Sequence, residues 1–186
     1  MNKLVPILKD AAILFAVSTV FVTAVNFCFS FLKKGVPQNS PVVTAILQDD
    51  SNTVQTLLKE TPAAAGEADS LGRTPLMWVA YANYSDAKRT ASEDKTRTAL
   101  IPLLAQRGAD INARDGDGWT PLMWASWSGM PGVVGKLLEL GALPNAADKK
   151  GNTAVSIAAQ RGLTEVVRLL AAKGASSVTT GNRPAL

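Results

Sequence analysis

Thr74-Pro75-Leu76-Met77-Trp78 returns as Thr120-Pro121-Leu122-Met123-Trp124, while Leu137-Leu138 and Gly141-Ala142 return as Leu169-Leu170 and Gly174-Ala175. Self-similarity of this kind constrains a fold more tightly than composition does, because a recurring unit packs against its own copies. Thr120 and Thr153 stand 33 positions apart, which sets the period.

Each piece of the unit at residues 118–145 has a physical task. Thr120 before Pro121 is a helix start: the hydroxyl accepts from an otherwise unpaired backbone N–H, and proline stands where no N–H is needed. Ser126 to Gly129 ends that short helix. Pro131 opens a second, whose apolar residues Val133, Val134, Leu137 and Leu138 fall at helical spacing, and Gly141 supplies the left-handed residue that stops it. Residues 145–151 are polar and turn-rich, as a hairpin-like loop projecting from the helices would be. The spacing therefore predicts two short helices and a hairpin in every period.

This unit resembles the ankyrin repeat, whose pattern reads G-x-T-P-L-H-x-A-A, then G-H-x-E-V-V-x-L-L-L, then G-A-D-x-N. The matching residues are Gly118, Thr120, Pro121, Leu122, Ala125, Gly129, Val133, Val134, Leu137, Leu138, Gly141, Ala142 and Asn145. One departure matters. The family's histidine is replaced by Met77, Met123 or Ser156, so each hairpin must be held by something else. The fold expected from the resemblance is an all-α ankyrin-repeat solenoid, preceded by one N-terminal transmembrane helix.

That helix is expected from residues 11–32, a run of 22 without a charge that holds all five phenylalanines and the only cysteine. A helix of that length reaches about 33 Å, close to the hydrocarbon thickness of a bilayer. A retained anchor over residues 1–34 is the favoured reading. The alternative is a cleaved secretory signal beginning with Lys3 and Lys9, but its apolar stretch would be unusually long and no small-x-small site precedes the polar region. Lys3 and Lys9 are balanced by Lys33 and Lys34 on the other flank, so the free amino terminus is what favours an N-in anchor with the repeats outside the cytoplasm.

After a linker at residues 35–39, the repeat domain is expected over 40–175, with repeats at about 40–71, 72–117, 118–150 and 151–175. The first and last would be caps, the last with the more charged outer face that a terminal repeat needs. Residues 176–186 form a polar tail. Thr74 and Thr120 are 46 apart, so the second repeat carries a surplus of 13 at residues 84–96, read as a solvated loop or helix extension. Pro102 is best tolerated near a first turn and places the start of that repeat's second helix near Thr98.

The six aromatic residues outside the apolar run, Trp78, Tyr81, Tyr84, Trp119, Trp124 and Trp127, all lie in the second and third repeats. Trp78 with Tyr81, and Trp124 with Trp127, share helix faces at i and i+3 and should form an aromatic ladder. Trp78 and Trp124 are expected to pack between repeats. The resemblance implies that Arg73, Trp119 and Asn152 sit at hairpin tips and Tyr81, Trp127 and Gln160 at the ends of first helices, on the concave face with which ankyrin proteins bind partners. Asp117, Lys149 and Lys150 join Arg73 as the charges that select the partner.

Enzyme chemistry finds no footing. The chain has no histidine, and Cys28 lies inside the apolar run, which removes Ser-His-Asp, Cys-His and His or Cys metal sites. Asp110, Asp115 and Asp117 lack the order and the glutamate of a calcium loop and read as hairpin residues. No cofactor, metal or small-molecule substrate is expected. Without Lys3, Lys9, Asp10, Lys33 and Lys34, the basic and acidic residues number 15 and 14, so nucleic-acid binding is not expected either. The function expected is membrane-anchored protein–protein interaction through repeats 2 to 4. The alternatives are an assembly subunit held mainly by its membrane helix, or an exported periplasmic protein after signal cleavage.

Overall fold

The structure, a computed structural model, describes residues 40–81 and 87–175. The expected membrane span at 11–32, the linker at 35–39 and the tail at 176–186 lie outside the described residues. Among the described residues, no helix is long and apolar enough to cross a membrane.

Eight α-helices are present among the described residues, and they come in pairs. The first pair is α1 (Pro41–Leu47) and α2 (Ser51–Glu60), followed by a 3-10 turn at Pro62–Ala65. The second is α3 (Pro75–Ala80) and α4 (Ala87–Gln106). The third is α5 (Pro121–Ser128) and α6 (Pro131–Glu139), and the fourth is α7 (Ala154–Gln160) and α8 (Thr164–Ala172). Helices α1, α3, α5 and α7 pack side by side in one layer, and α2, α4, α6 and α8 in a second. The single β pairing among the described residues is an antiparallel bridge from Ala147 to Thr153, at the neck of a hairpin.

The first helices are short because their sequences start and stop them. Thr120 Oγ1 accepts from the Met123 N–H at 3.3 Å, and Gly129 at φ 71° turns the chain out of α5. Thr153 and Ser156 form a reciprocal capping box, so the serine in the histidine's place secures a helix start. Thr74 differs. Its buried hydroxyl has no partner, and α3 starts without a side-chain cap.

The layers meet over a core that includes Ile46, Leu58, Leu76, Leu100, Ile101, Leu122, Leu137 and Leu170, all fully buried. Met77 and Met123, which replace the histidine, are only 1% and 0% exposed. Each contributes about 1.5–3 kcal/mol through burial, in place of a polar network.

The second repeat departs from the sequence reading. Its second helix begins at Ala87 instead of near Thr98, runs 20 residues and holds Pro102 in its interior. Anchorage outweighs the proline. Arg97, 4% exposed, donates to the Trp78 carbonyl at 3.2 Å, to the Tyr81 carbonyl and to Asp49 at 3.2 Å. It thereby closes the end of α3, which has no terminating glycine. From the inserted segment itself, Asp94 accepts from the N–H groups of Gly132 at 2.8 Å and Val133 at 2.9 Å, capping the start of α6 in the next repeat. A Cβ at Gly132 would stand 2.7 Å from the Asp94 carboxylate, so this approach requires glycine.

Candidate functional site

The hairpins are built on Asp69, Asp115 and Asp148, each four residues before Arg73, Trp119 and Asn152. In every case one carboxylate oxygen gathers two backbone N–H groups. Asp69 Oδ1 accepts from Leu71 at 2.8 Å and Arg73 at 2.9 Å, Asp115 Oδ1 from Asp117 at 3.0 Å and Trp119 at 2.8 Å, and Asp148 Oδ1 from Lys150 at 2.8 Å and Asn152 at 2.7 Å. These carboxylates hold the hairpins that lack the family's histidine. Their second oxygens differ. Asp69 Oδ2 takes the Arg73 guanidinium at 2.8 Å, Asp115 Oδ2 takes the Trp124 indole N–H at 3.0 Å, and Asp148 Oδ2 takes both the Asn152 amide at 2.9 Å and the Trp119 indole at 3.0 Å.

Burial pushes the Asp148 carboxyl up, but the hydrogen bonds from the Asn152 side chain and backbone, the Lys150 N–H and the Trp119 indole outweigh it. The net result is a carboxyl below its ordinary value, ionised in neutral solution.

The bonded indoles join an aromatic cluster centred on Tyr81. Its ring meets Trp78 edge-on at 5.8 Å, Trp124 edge-on at 5.8 Å and Trp127 in a stacked arrangement at 6.0 Å. Trp124 in turn lies 4.9 Å from Trp119 and 6.1 Å from Trp127. Cations cover the ends: Arg73 stands 4.4 Å over Trp78, and Arg161 stands 4.6 Å over Trp127. The expected ladder is therefore a branched cluster spanning α3 and α5.

The sequence-predicted residues fall into two groups. Asp117, Trp119, Lys149, Lys150 and Asn152 line one recess of about 210 Å³, together with Trp124 and Asp148. Arg73, Tyr81 and Trp127 belong to the aromatic cluster. Gln160 is exposed at the last residue of α7, but the side chain that meets an indole is its neighbour Arg161. Trp78 packs between repeats as expected, at 4% exposure, with its indole N–H buried and unpartnered. Trp124 does not share that fate. Its N–H is drawn to Asp115 and the ring stays half-buried, lining the recess.

Sequence reasoning missed Asp148 and Arg161 as site residues. The signal for Asp148 was present: aspartate recurs four residues before each hairpin tip, at the spacing of the repeats themselves. Arg161 carried none, because the fold alone lays it on Trp127. Among the described residues, no group of three or more His, Cys, Asp or Glu side chains is placed to hold a metal ion.

Paired helices in two layers, with hairpins between successive pairs, define a helical-repeat domain. A family profile described as ankyrin repeats in three copies matches residues 43–148 and 89–182, and the chain belongs to the ankyrin repeat family. It is 40% identical over 143 residues to the ankyrin repeat protein YahD of Escherichia coli, a match covering 73% of this chain and 64% of that protein. It is 30% identical over 145 residues to the ankyrin repeat domain-containing protein SAT10 of Stachybotrys chartarum, covering 70% of this chain and 8% of the relative. A similar likeness, 30% over 126 residues, links it to the neurogenic locus notch homolog protein 1 of Danio rerio, covering 68% of this chain and 5% of the relative. The chain thus spans less than two thirds of each of these relatives. Ankyrin repeats are protein–protein interaction modules, and the family is in general non-enzymatic.

Proposed function

We propose that this is a membrane-anchored ankyrin-repeat protein that binds a protein partner through the concave face of its second to fourth repeats. The residues assigned to that face are Arg73, Tyr81, Asp117, Trp119, Trp127, Lys149, Lys150, Asn152 and Gln160. The observation that carries the reading is the half-buried state of Tyr81, Trp119, Trp124 and Trp127, whose rings touch one another yet keep accessible surface. Pre-ordered aromatic rings lose little conformational freedom on binding and are the commonest anchors of protein interfaces. The recess of about 210 Å³ is smaller than the 300–1,000 Å³ of typical small-molecule sites, which favours a protein surface over a substrate or cofactor.

Attachment to the membrane is proposed through residues 11–32, with the amino terminus inside and the repeats outside the cytoplasm. The uncharged run of 22 residues supports it. The chain acts by contact, without catalysis, metal or nucleic acid.

The interaction is tested by crosslinking the full chain in its native membrane and identifying the bound protein, with and without Trp119→Ala and Trp127→Ala. Capture should fall at least tenfold in the double variant while its helical circular dichroism is kept. Undiminished capture by the folded double variant removes this face. The intact mass of the native protein tests the anchor, which a mature amino terminus beyond Leu32 would contradict.

A further inference from the structure

The near balance of charge outside the N-terminal segment hides a sorted surface. Asp69, Asp115 and Asp148 point their carboxylates into their own hairpins, where backbone N–H groups, indoles, Arg73 and Asn152 take up both oxygens. Of the hairpin carboxylates from Asp69 to Asp148, Asp110 and Asp117 remain exposed; Asp110 accepts from the Asn112 N–H away from the recess, whereas Asp117 lines it as a single exposed carboxylate beside Lys149 and Lys150. The cations do the opposite. Arg114, Lys149 and Lys150 are all exposed. Arg114 and Lys149 donate to the carbonyls of Ala147 and Gly116, which are neutral partners.

These cations also converge. A Cβ at Gly118, which has φ +83°, would stand 3.2 Å from the Arg114 guanidinium and 3.4 Å from the Lys149 stem. Lys149 and Lys150 line the recess whose apolar wall is made by Trp119 and Trp124. Both indole N–H groups are already bonded inward, so the rings offer the recess only their hydrocarbon surface.

We propose that the recess between the second and third hairpins docks an acidic segment of the partner protein, its apolar side chain against Trp119 and Trp124 and its carboxylates facing Lys149, Lys150 and Arg114. The proposal rests on the interaction role assigned above and specifies the chemistry of what is bound. A protein segment suits the recess better than a nucleic acid. The two rings are tilted by 55° and enclose a notch, whereas successive bases require open faces on which to stack. Desolvating the indoles supplies affinity, and the lysines and arginine supply selectivity and a faster encounter.

The test uses the full chain in lipid nanodiscs of zwitterionic lipid. Three labelled ten-residue peptides with the same leucine and phenylalanine positions carry glutamate, glutamine or lysine between them, and anisotropy reports binding. The glutamate peptide should bind at least tenfold more tightly than the glutamine peptide at low salt, with the advantage shrinking as salt rises. The double variant Lys149→Glu, Lys150→Glu should erase that preference and favour the lysine peptide. Equal behaviour of the three peptides, including binding by none, overturns the proposal, as does a preference that survives charge reversal. Tighter binding of a ten-nucleotide oligothymidylate, or of phosphatidylserine vesicles, also overturns it. The native crosslink separates the two levels. A partner lost in the tryptophan double variant but kept in the lysine double variant removes the acidic assignment and leaves the interaction face, whereas a partner indifferent to both removes the face itself.

Discussion

The hairpins of the second and third repeats share a frame and differ in what they do with it. In both, an aspartate ties down two backbone N–H groups. In the second, Arg73 occupies the remaining oxygen and also covers Trp78, whose indole N–H is left buried without a partner. In the third, Trp124 takes that oxygen and Trp119 reaches onward to Asp148 of the next hairpin. The lesson is that one side-chain choice at the tip decides whether the aspartate's second oxygen is taken by a guanidinium or by an indole.

The largest expected effect comes from the aspartate on which the open arrangement depends. Asp148→Ala leaves two backbone N–H groups and two side-chain donors without their acceptor. It should lower unfolding stability by about 3 kcal/mol, read from the denaturant midpoint. The Asp148 carboxyl is held below its ordinary 3.8 in the folded chain, so its contribution is complete above that pH and is lost as the pH falls through the folded value. An acid titration of wild type against Asp148→Asn should therefore diverge only above that window. A variant difference that persists into strong acid would show that packing, not charge, is what Asp148 supplies.

Next in size is the contrast between the two tryptophans. Trp124→Phe removes a hydrogen bond to a carboxylate and should cost about 2 kcal/mol, whereas Trp78→Phe removes a buried donor that has no partner and should cost under about 1 kcal/mol beyond the smaller ring. Equal losses in thermal or denaturant unfolding would erase the distinction between the hairpins. The smallest effect expected is that of Asp94→Ala, about 1 kcal/mol, since it deletes a helix cap. Amide exchange in the first turn of α6 should accelerate while that of α5 stays as it was. Acceleration across both helices would mean that Asp94 supports the whole repeat and is more than a local cap.

Much of the scaffold was legible in the residues. Threonine before proline, glycine after Leu-Leu and the 33-residue period announced helix pairs and their order, because caps and turns are decided by neighbours in the chain. The start of α4 was not legible. Pro102 argues locally for a helix that begins close to it, whereas Arg97 and Asp94 are held by groups 16 to 48 residues away along the chain. The site was half legible. Asp117, Trp119, Lys149, Lys150 and Asn152 were singled out and do share a recess, but Trp124 was assigned to the interior because the carboxylate that draws it outward belongs to the preceding hairpin.

What the sequence determined by itself was the unit: which residues start a helix, which stop it and how often the pattern returns, all effects that act within one turn of the chain. What only the tertiary structure decided was the sorting of charge and ring. The carboxylates of Asp69, Asp115 and Asp148 turned inward, Arg114, Lys149 and Lys150 stayed exposed, and the indole N–H groups of Trp119 and Trp124 were spent on hairpin aspartates. Those outcomes depend on competition for acceptors between segments that meet only when the repeats stack, and no local rule ranks the competitors.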